Sequence, residues 1–121
     1  MKNNQKILCV FGGTGFLGRH LIRKLCQKDY RIIIATRQPH HALFLKPLGN
    51  PGQIELVKTN VYNSEDLKNV LKHSNKCINL IGILNQKKHS TFENLHAEFP
   101  NLLSKICAEL NLEKLVHISA L

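Results

Sequence analysis

Three glycines spaced three residues apart, Gly12, Gly15 and Gly18, constrain the fold of this chain more than any other feature. An apolar run over residues 6–11 precedes them and is typical of a buried strand. Over residues 16–28, apolar residues recur at helical spacing, with basic residues between them. The glycines therefore join a strand to a helix through a turn that larger side chains would obstruct.

Strand and helix patterns alternate along the rest of the chain. Short apolar runs, several of them rich in β-branched residues, predict four further strands, at residues 31–36, 54–59, 77–81 and 115–119. Helices are predicted at 64–73 and 91–110, with a short one at 42–46, and Pro100 is expected to bend the long helix or to mark a restart. Such alternation forms right-handed crossovers and a parallel sheet. We therefore expect a doubly wound α/β fold of about five strands in one domain.

Composition limits the class of protein. The 121 residues are 43% hydrophobic and 21% charged, which is typical of a soluble globular domain. The apolar runs are far shorter than the roughly 20 residues of a membrane-spanning helix, and polar residues 1–6 lead directly into the first strand. A cytoplasmic protein without a transmembrane segment or a signal peptide is expected.

The cysteines and histidines do not show the spacing of a metal site. The four cysteines lie far apart within apolar segments, which predicts reduced, buried thiols at Cys9, Cys26, Cys77 and Cys107. The seven histidines lack the spacing of a ligand pair. No metal is therefore predicted.

The chain is strongly basic, with 17 Lys and Arg against 8 Asp and Glu and a formal net charge of +9. Such a charge raises the question of a nucleic-acid or anionic-membrane partner. The basic residues are dispersed, however, and only residues 87–89 form a tight cluster. The few aromatic residues do not alternate with basic ones as a nucleic-acid stacking surface requires. We expect attraction for a phosphate-bearing ligand and no nucleic-acid partner.

The glycine turn has the chemistry of a dinucleotide site. Glycine at position 12 permits a tight turn, glycine at 15 lets the backbone approach a pyrophosphate, and glycine at 18 lets the helix pack close to the sheet. The free N–H groups at the start of the helix would then solvate the phosphates. The strand–turn–helix setting favours this interpretation. The alternative is a turn that only packs the helix on the sheet.

The end of the second strand bears on the type of cofactor. An NAD site usually has an acidic residue there to bind the ribose hydroxyls. This chain has Thr36 and Arg37 instead. A guanidinium can pair with a 2′-phosphate in bidentate fashion, whereas a carboxylate would repel it. We therefore expect NADP(H) as the preferred cofactor and NAD(H) as the alternative, with an ordinary solvated arginine as the competing interpretation of Arg37.

Five segments carry a resemblance to a known family. They are Phe11-Gly-Gly-Thr-Gly-Phe-Leu-Gly-Arg19, Leu45-Lys-Pro-Leu-Gly-Asn-Pro-Gly-Gln53, His73-Ser-Asn75, Ile78-Asn-Leu-Ile-Gly82 and Val116-His-Ile-Ser119. With them the chain resembles the extended or atypical short-chain dehydrogenase/reductase superfamily. Within it, the chain is most similar to the nucleotide-binding accessory subunits of respiratory complex I and their bacterial relatives. The resemblance implies that residues 1–121 form an NAD(P)-binding Rossmann domain, the N-terminal part of the family's fold.

The resemblance also implies a set of cofactor-binding residues. Around the pyrophosphate would lie Gly12, Gly13, Thr14, Gly15, Phe16, Leu17 and Gly18. Arg37 would contact the adenosine phosphate, and Asn60 and Val61 would lie towards the adenine. The family commonly has an acidic residue there, and the side-chain oxygen of Asn60 could accept a hydrogen bond in its place. Beside the ribose would run Leu80, Ile81 and Gly82.

The chain lacks the acid/base pair of the family's catalytic members, a tyrosine with a lysine four residues later. The residues four positions after Tyr30 and Tyr62 are Ile34 and Asp66. Ser119 lies near the family's substrate-orienting serine, but only two residues follow it. We therefore predict a module that binds NADP(H) without catalysing a reaction on its own. The resemblance further implies association with a larger respiratory complex, peripheral at the inner face of its membrane.

Two alternative functions stay open. The chain could be the cofactor-binding half of an oxidoreductase or epimerase. It could also be an interaction protein that has only a vestigial nucleotide site or that uses its positive charge on RNA. The substrate-binding half of the family's fold is missing, and the fifth strand would be left poorly covered. An N-terminal fragment, a shortened gene product or one half of an assembly is therefore expected, with a partner or a second copy completing the sheet.

Overall fold

The computed structural model describes residues 5–81 and 89–118. The strands are β1 (Ile7–Phe11), β2 (Arg31–Thr36), β3 (Ile54–Lys58), β4 (Lys76–Asn79) and β5 (Lys114–His117). The α-helices are α1 (Phe16–Cys26), α2 (Ser64–Leu71) and α3 (His89–Glu109), and a 3-10 helix spans Pro39–Leu48. The alternation of strands and helices predicted from the sequence is confirmed.

The sheet is parallel throughout, with strand order β3-β2-β1-β4-β5. The chain winds outwards from the central β1 in one direction through β2 and β3, and in the other through β4 and β5. This confirms the doubly wound α/β fold. The strand order reverses between β1 and β4, and ligands of such sheets bind beside the carboxyl ends of the strands at this switch point. The glycine turn begins there.

Side chains of the central strands alternate between two cores. On one face, Cys9 and Phe11 of β1 belong to a core shared with α2 and α3, where the rings of Phe11 and Phe99 meet edge to face at 5.5 Å. On the other face, Val10 packs with Ile22 of α1 and with the 3-10 helix. Because both faces are covered, the strands appear in the sequence as continuous apolar runs.

Helix α1 buries the predicted apolar face except at Leu17. The sequence predicts a face of Leu17, Leu21 and Leu25, with Ile22 and Cys26 alongside. Ile22 is fully buried and Leu21, Leu25 and Cys26 pack partly buried against the same core, but Leu17 is 42% exposed. Gly18 is buried as well, one helical turn before Ile22. The stripe through Gly18 and Ile22 therefore faces inwards, and Leu17 lies at the surface.

Two predicted boundaries are corrected. Strand β4 ends at Asn79, before the predicted Ile81, because the Asn79 Oδ1 accepts a hydrogen bond from the Ile81 amide at 2.9 Å and turns the chain out of the sheet. Of the two expectations for Pro100, the restart is wrong because α3 runs through this residue as one helix, and the bend stays a prediction.

Strand β5 forms one edge of the sheet. Among the described residues it pairs with β4 alone, and its Leu115 and Val116 are only half-buried. An edge strand of this kind offers unpaired backbone groups to a further strand.

None of the helices within the described ranges is long and apolar enough to span a membrane.

A buried glutamine joins two connections at the amino edge of the sheet. The Gln53 side chain, 8% exposed, donates from Nε2 to the carbonyl oxygens of Cys26 at 2.9 Å and Tyr30 at 2.8 Å. Its Oε1 accepts from the Asn50 amide at 2.9 Å. One side chain thus satisfies backbone groups at the end of α1, before β2 and before β3.

We expect Gln53→Ala to lower the free energy of unfolding by about 2–4 kcal/mol, because three backbone groups lose their partner. Urea unfolding followed by circular dichroism measures the change. The exposed Gln27 supplies a matched control, and Gln27→Ala should change stability by less than about 0.5 kcal/mol. Equal effects of the two substitutions would contradict the role given to Gln53.

Candidate dinucleotide site

The turn after β1 closes tightly against the chain after β4. Gly12 has a φ of +79°, a left-handed conformation that favours glycine. A Cβ at this position would lie 2.9 Å from the Ile81 nitrogen and 3.0 Å from the Leu80 carbonyl carbon. Glycine is therefore needed at position 12 for the turn, as predicted, and also for the close approach of the segment after β4.

Two further glycines let α1 begin directly on this turn. A Cβ on Gly18 would lie 2.5 Å from the carbonyl oxygen of Gly13, and one on Gly13 would lie 2.9 Å from the Cδ1 of Ile22. Gly18 thus brings α1 against the backbone of the turn itself, whereas the sequence predicted that this glycine packs the helix close to the sheet. The helix start and the turn form one compact backbone surface.

The N-terminus of α1 has the features of an anion-binding site. Its N-cap is Gly15, which has no side chain to accept a hydrogen bond from the first amides, and the first turn contains no acidic residue. The Arg19 amide donates to the Gly15 carbonyl at 3.0 Å, so the regular helical ladder begins only there. The preceding N–H groups of the helix have no acceptor within it. Thr14 and Leu17 are exposed beside them, and Phe16 is the first helical residue.

A groove opens beside the carboxyl ends of β2 and β3. It has a volume of about 940 Å³ and is lined by Arg37, Gln38, Pro39, His40, Lys58, Thr59, Asn60, Tyr62 and Asp66. Arg37 directly follows β2, and Lys58 is the last residue of β3, paired in register with Thr36. Two basic side chains at the carboxyl ends of neighbouring strands make one side of the groove favourable for an anion.

Asn60 lies in this groove with part of its hydrogen-bonding capacity already used. Its side-chain Oδ1 accepts from the Tyr62 backbone amide at 3.0 Å, and its backbone N–H donates to Asp66 Oδ2 at 2.9 Å. A side-chain carbonyl has a second lone pair, so Asn60 can still accept one further hydrogen bond. Val61 is half-buried against the core shared with α2 and α3.

The residues predicted beside the ribose are described in part. The Leu80 side chain is 4% exposed and belongs to the core with Val10 and Ile22, and its backbone amide donates to the Phe11 carbonyl oxygen at 2.8 Å. Ile81 is half-buried beside Gly12. Gly82 and Ser119 lie outside the described residues.

A tyrosine and a lysine do meet in this fold, but at the opposite edge of the sheet. The Nζ of Lys76 donates to the hydroxyl of Tyr30 at 2.9 Å, and this hydrogen bond raises the pKa of Lys76. Tyr30 precedes β2 and Lys76 begins β4, so both lie at the amino ends of the strands. The contact is therefore remote from the glycine turn.

The cysteines lie in the interior and not at the site. Cys9, Cys77 and Cys107 are buried, Cys26 is half-buried, and all four are free thiols. Burial raises the pKa of the Cys9 thiol, which keeps it protonated and unreactive at neutral pH. Across residues 5–81 and 89–118, no cluster of three or more His, Cys, Asp or Glu side chains could hold a metal ion.

Lys58 and Tyr62 line the groove but are not among the site residues predicted from the sequence. Their positions depend on which strand neighbours β2 and on the register of that pair, neither of which follows from helix and strand patterns. The one available signal was Lys58 at the end of the predicted third strand. Parallel strands present their carboxyl ends at the same edge of a sheet, and Arg37 and Lys58 meet there for that reason.

The doubly wound sheet, the glycine turn at its switch point and the adjoining basic groove define a dinucleotide-binding module of the Rossmann class. Residues 8–120 match the NAD dependent epimerase/dehydratase family. The chain belongs to this family, and a nicotinamide dinucleotide is therefore its class of cofactor.

Among curated proteins, the chain is similar to subunits of a respiratory enzyme. It is 27% identical over 111 residues to the mitochondrial NADH-ubiquinone oxidoreductase 40 kDa subunit of Neurospora crassa, covering 92% of this chain and 30% of that protein. It is 28% identical over 116 residues to the mitochondrial NADH dehydrogenase [ubiquinone] 1 alpha subcomplex subunit 9 of Mus musculus, covering 95% and 31%. The chain thus spans less than a third of the length of these relatives.

Solved structures share the fold at lower identity. An epimerase from Methanothermobacter thermautotrophicus matches with a TM-score of 0.78 and 21% identity over 93% of this chain and 34% of that protein. A short-chain dehydrogenase from Bacillus anthracis matches with a TM-score of 0.76 and 17% identity, over 93% and 54%. These likenesses support the assignment of the fold.

Proposed function

We propose that this chain binds NADP(H) in preference to NAD(H) along the carboxyl edge of its sheet. The diphosphate lies on the glycine turn, residues 12–18, and the adenosine lies in the groove between Arg37 and Asn60, with Val61 nearby. A ribose of the dinucleotide runs beside Leu80, Ile81 and Gly82. Within this chain, the role of the site is to bind the nucleotide.

The observation that carries the proposal is the uncapped start of α1 at the switch point of the sheet. Gly12 and Gly18 bring the backbone of the turn, the helix start and the segment after β4 into contact, which leaves no room for a Cβ at either position. Gly15 leaves the first helical amides without a side-chain cap. Amides at the positive end of a helix bind phosphate oxygens well.

The basic groove supports the preference for NADP(H). A 2′-phosphate adds negative charge to the adenosine ribose, and Arg37 and Lys58 both line the groove. The groove also contains the carboxylate of Asp66, but its Oδ2 accepts from the Asn60 amide. A bidentate guanidinium–phosphate contact with a second cation nearby would favour the phosphorylated cofactor.

The sequence supports binding without catalysis by this chain, since neither Tyr30 nor Tyr62 is followed by a lysine four residues later. The similarity to mitochondrial NADH dehydrogenase subunits of Neurospora crassa and Mus musculus supports association with a respiratory enzyme, peripheral at its membrane. Within residues 5–81 and 89–118, β5 pairs with β4 alone, and this edge supports a partner or a second copy that extends the sheet.

Titration of the purified chain with NADPH and with NADH, followed by nucleotide fluorescence, tests the proposal. We expect Arg37→Ala to weaken NADPH binding about tenfold and NADH binding less than about twofold, because the lost contact is to the 2′-phosphate. Lys58→Gln should weaken NADPH binding about threefold as a single, more solvated charge.

Lys72→Gln is the matched control, because Lys72 is exposed at the end of α2 and does not line the groove. It should leave both affinities unchanged. An unchanged ratio of NADPH to NADH affinity in Arg37→Ala would contradict the NADP(H) preference. Failure of the unmodified chain to bind either nucleotide at millimolar concentration would contradict the proposed function.

A further inference from the structure

A buried side-chain amide lies directly beside the glycine turn. Asn79, the last residue of β4, is 3% exposed. Its Oδ1 accepts from the Ile81 amide at 2.9 Å, and its Nδ2 lies 3.1 Å from Nδ1 of His117, its register partner on β5. The other ring nitrogen, His117 Nε2, lies 3.3 Å from the Ser104 Oγ on α3. One chain of hydrogen bonds thus links α3, β5 and β4 to the segment that contacts Gly12.

The backbone amide of Ile81 determines which group donates and which accepts in each of these hydrogen bonds. The Ile81 amide can only donate, so the Asn79 oxygen must face it and the Asn79 NH₂ must face His117. His117 Nδ1 must then accept, which places the single proton of a neutral ring on Nε2. That proton points towards the Ser104 oxygen. The hydrogen bonds therefore select one tautomer of His117.

The position of the Ile81 amide shapes the crevice between the glycine turn and the segment after β4, where the dinucleotide is proposed to bind. This nitrogen lies 2.9 Å from where a Cβ on Gly12 would be, so it forms the wall against which the turn is packed. The backbone bonds from Leu80 N to Phe11 O at 2.8 Å and from Ile118 N to Asn79 O at 3.0 Å hold the strand ends together. They do not hold the Ile81 amide, which turns out of the sheet onto the Asn79 side chain.

We propose that Asn79 is a positioning residue for dinucleotide binding, oriented by neutral, Nε2-protonated His117. Asn79 holds the wall of the crevice beside Gly12, and the ring of His117 keeps the Asn79 amide from flipping. This inference rests on the proposed function. Because the wall is common to both cofactors, its loss weakens NADPH and NADH equally, unlike the loss of Arg37.

Two variants at opposite ends of β4 test the role. Asn75 makes the same type of bond before the strand, its Oδ1 accepting from the Ile7 amide at 2.8 Å. We expect Asn79→Leu to weaken NADPH and NADH binding by about tenfold each, the factor that corresponds to one lost hydrogen bond. Asn75→Leu should leave the affinity of the folded protein for both nucleotides unchanged. Wild-type affinity in Asn79→Leu, or an equal loss in both variants, would overturn the positioning role.

The tautomer of His117 gives a second readout, which tests the hydrogen bonds between Asn79, His117 and Ile81 directly and does not depend on Asn79→Leu folding. In the unmodified chain, ¹⁵N NMR of the His117 ring should show Nε2 protonated and Nδ1 unprotonated. In Asn79→Asp the carboxylate still accepts from Ile81 but needs a donor from the ring, so Nδ1 should become protonated. A ring protonated on Nδ1 in the unmodified chain, or unchanged in Asn79→Asp, would overturn the inference. Failure of the unmodified protein to bind either nucleotide would instead refute the proposed function. The NMR measurement of the His117 ring would then still test the hydrogen bonds between Asn79 and His117.

Discussion

Replacing Gly18 by alanine is expected to destabilise the chain by about 2–4 kcal/mol, although alanine is normally the better helix former by about 1 kcal/mol. The new Cβ would lie 2.5 Å from the Gly13 carbonyl oxygen and 2.7 Å from its carbonyl carbon. Both are backbone atoms of the turn, so neither can rotate away. The helix start would have to move off the turn, and we expect the affinity for NADPH to fall with it.

Urea unfolding of Gly18→Ala, together with an NADPH titration of the folded fraction, measures both effects. Ala108 on α3 is exposed and supplies the control for helix propensity alone, and Ala108→Gly should cost about 1 kcal/mol without affecting binding. A stabilised Gly18→Ala variant would contradict the close contact between α1 and the turn.

The second large effect is expected for Gly12→Ala. Two glycines have nearly the same left-handed backbone, Gly12 with a φ of +79° and Gly52 with +81°. A Cβ on Gly52 meets nothing within 4 Å, whereas one on Gly12 meets the Ile81 nitrogen at 2.9 Å. Gly52→Ala should therefore cost only the conformational strain of about 1–2 kcal/mol. Gly12→Ala adds the overlap and should cost about 3 kcal/mol or more.

Gly12→Ala and Gly52→Ala should differ in NADPH affinity even more than in stability. Gly12→Ala displaces the wall of the crevice and should abolish detectable NADPH binding, while Gly52→Ala should bind as the unmodified chain does, since its turn lies at the amino edge of the sheet. Denaturant unfolding and fluorescence titration of the two variants provide the comparison. Similar losses of stability and of affinity at the two positions would show that the contact between Gly12 and Ile81 is not important.

The architecture could be predicted from the sequence because each central strand is covered on both faces. Continuous apolar runs such as Ile32–Ile34 then stand out from the helical spacing between them. Gly12 and Gly18 could be recognised because a turn between strand and helix tolerates few side chains. These features depend on neighbouring residues in the chain.

The features that the sequence did not predict depend on contacts that the spacing of apolar residues does not reveal. Strand β4 ends early because the Asn79 side chain takes the Ile81 amide, with His117 of another strand holding the Asn79 amide in place. Leu17 is exposed because Gly18 sets how α1 is rotated on the turn. Lys58 joins Arg37 in one groove only through the register of β2 and β3. No local pattern contains this information.

The most direct test of the central claim is an NMR titration of the ¹⁵N-labelled chain with NADPH. If the uncapped amides at the start of α1 hold the diphosphate, the backbone signals of residues 13–18 should shift together, with the same dissociation constant as the nucleotide fluorescence. Saturation by fluorescence with those amide signals unmoved would contradict the claim.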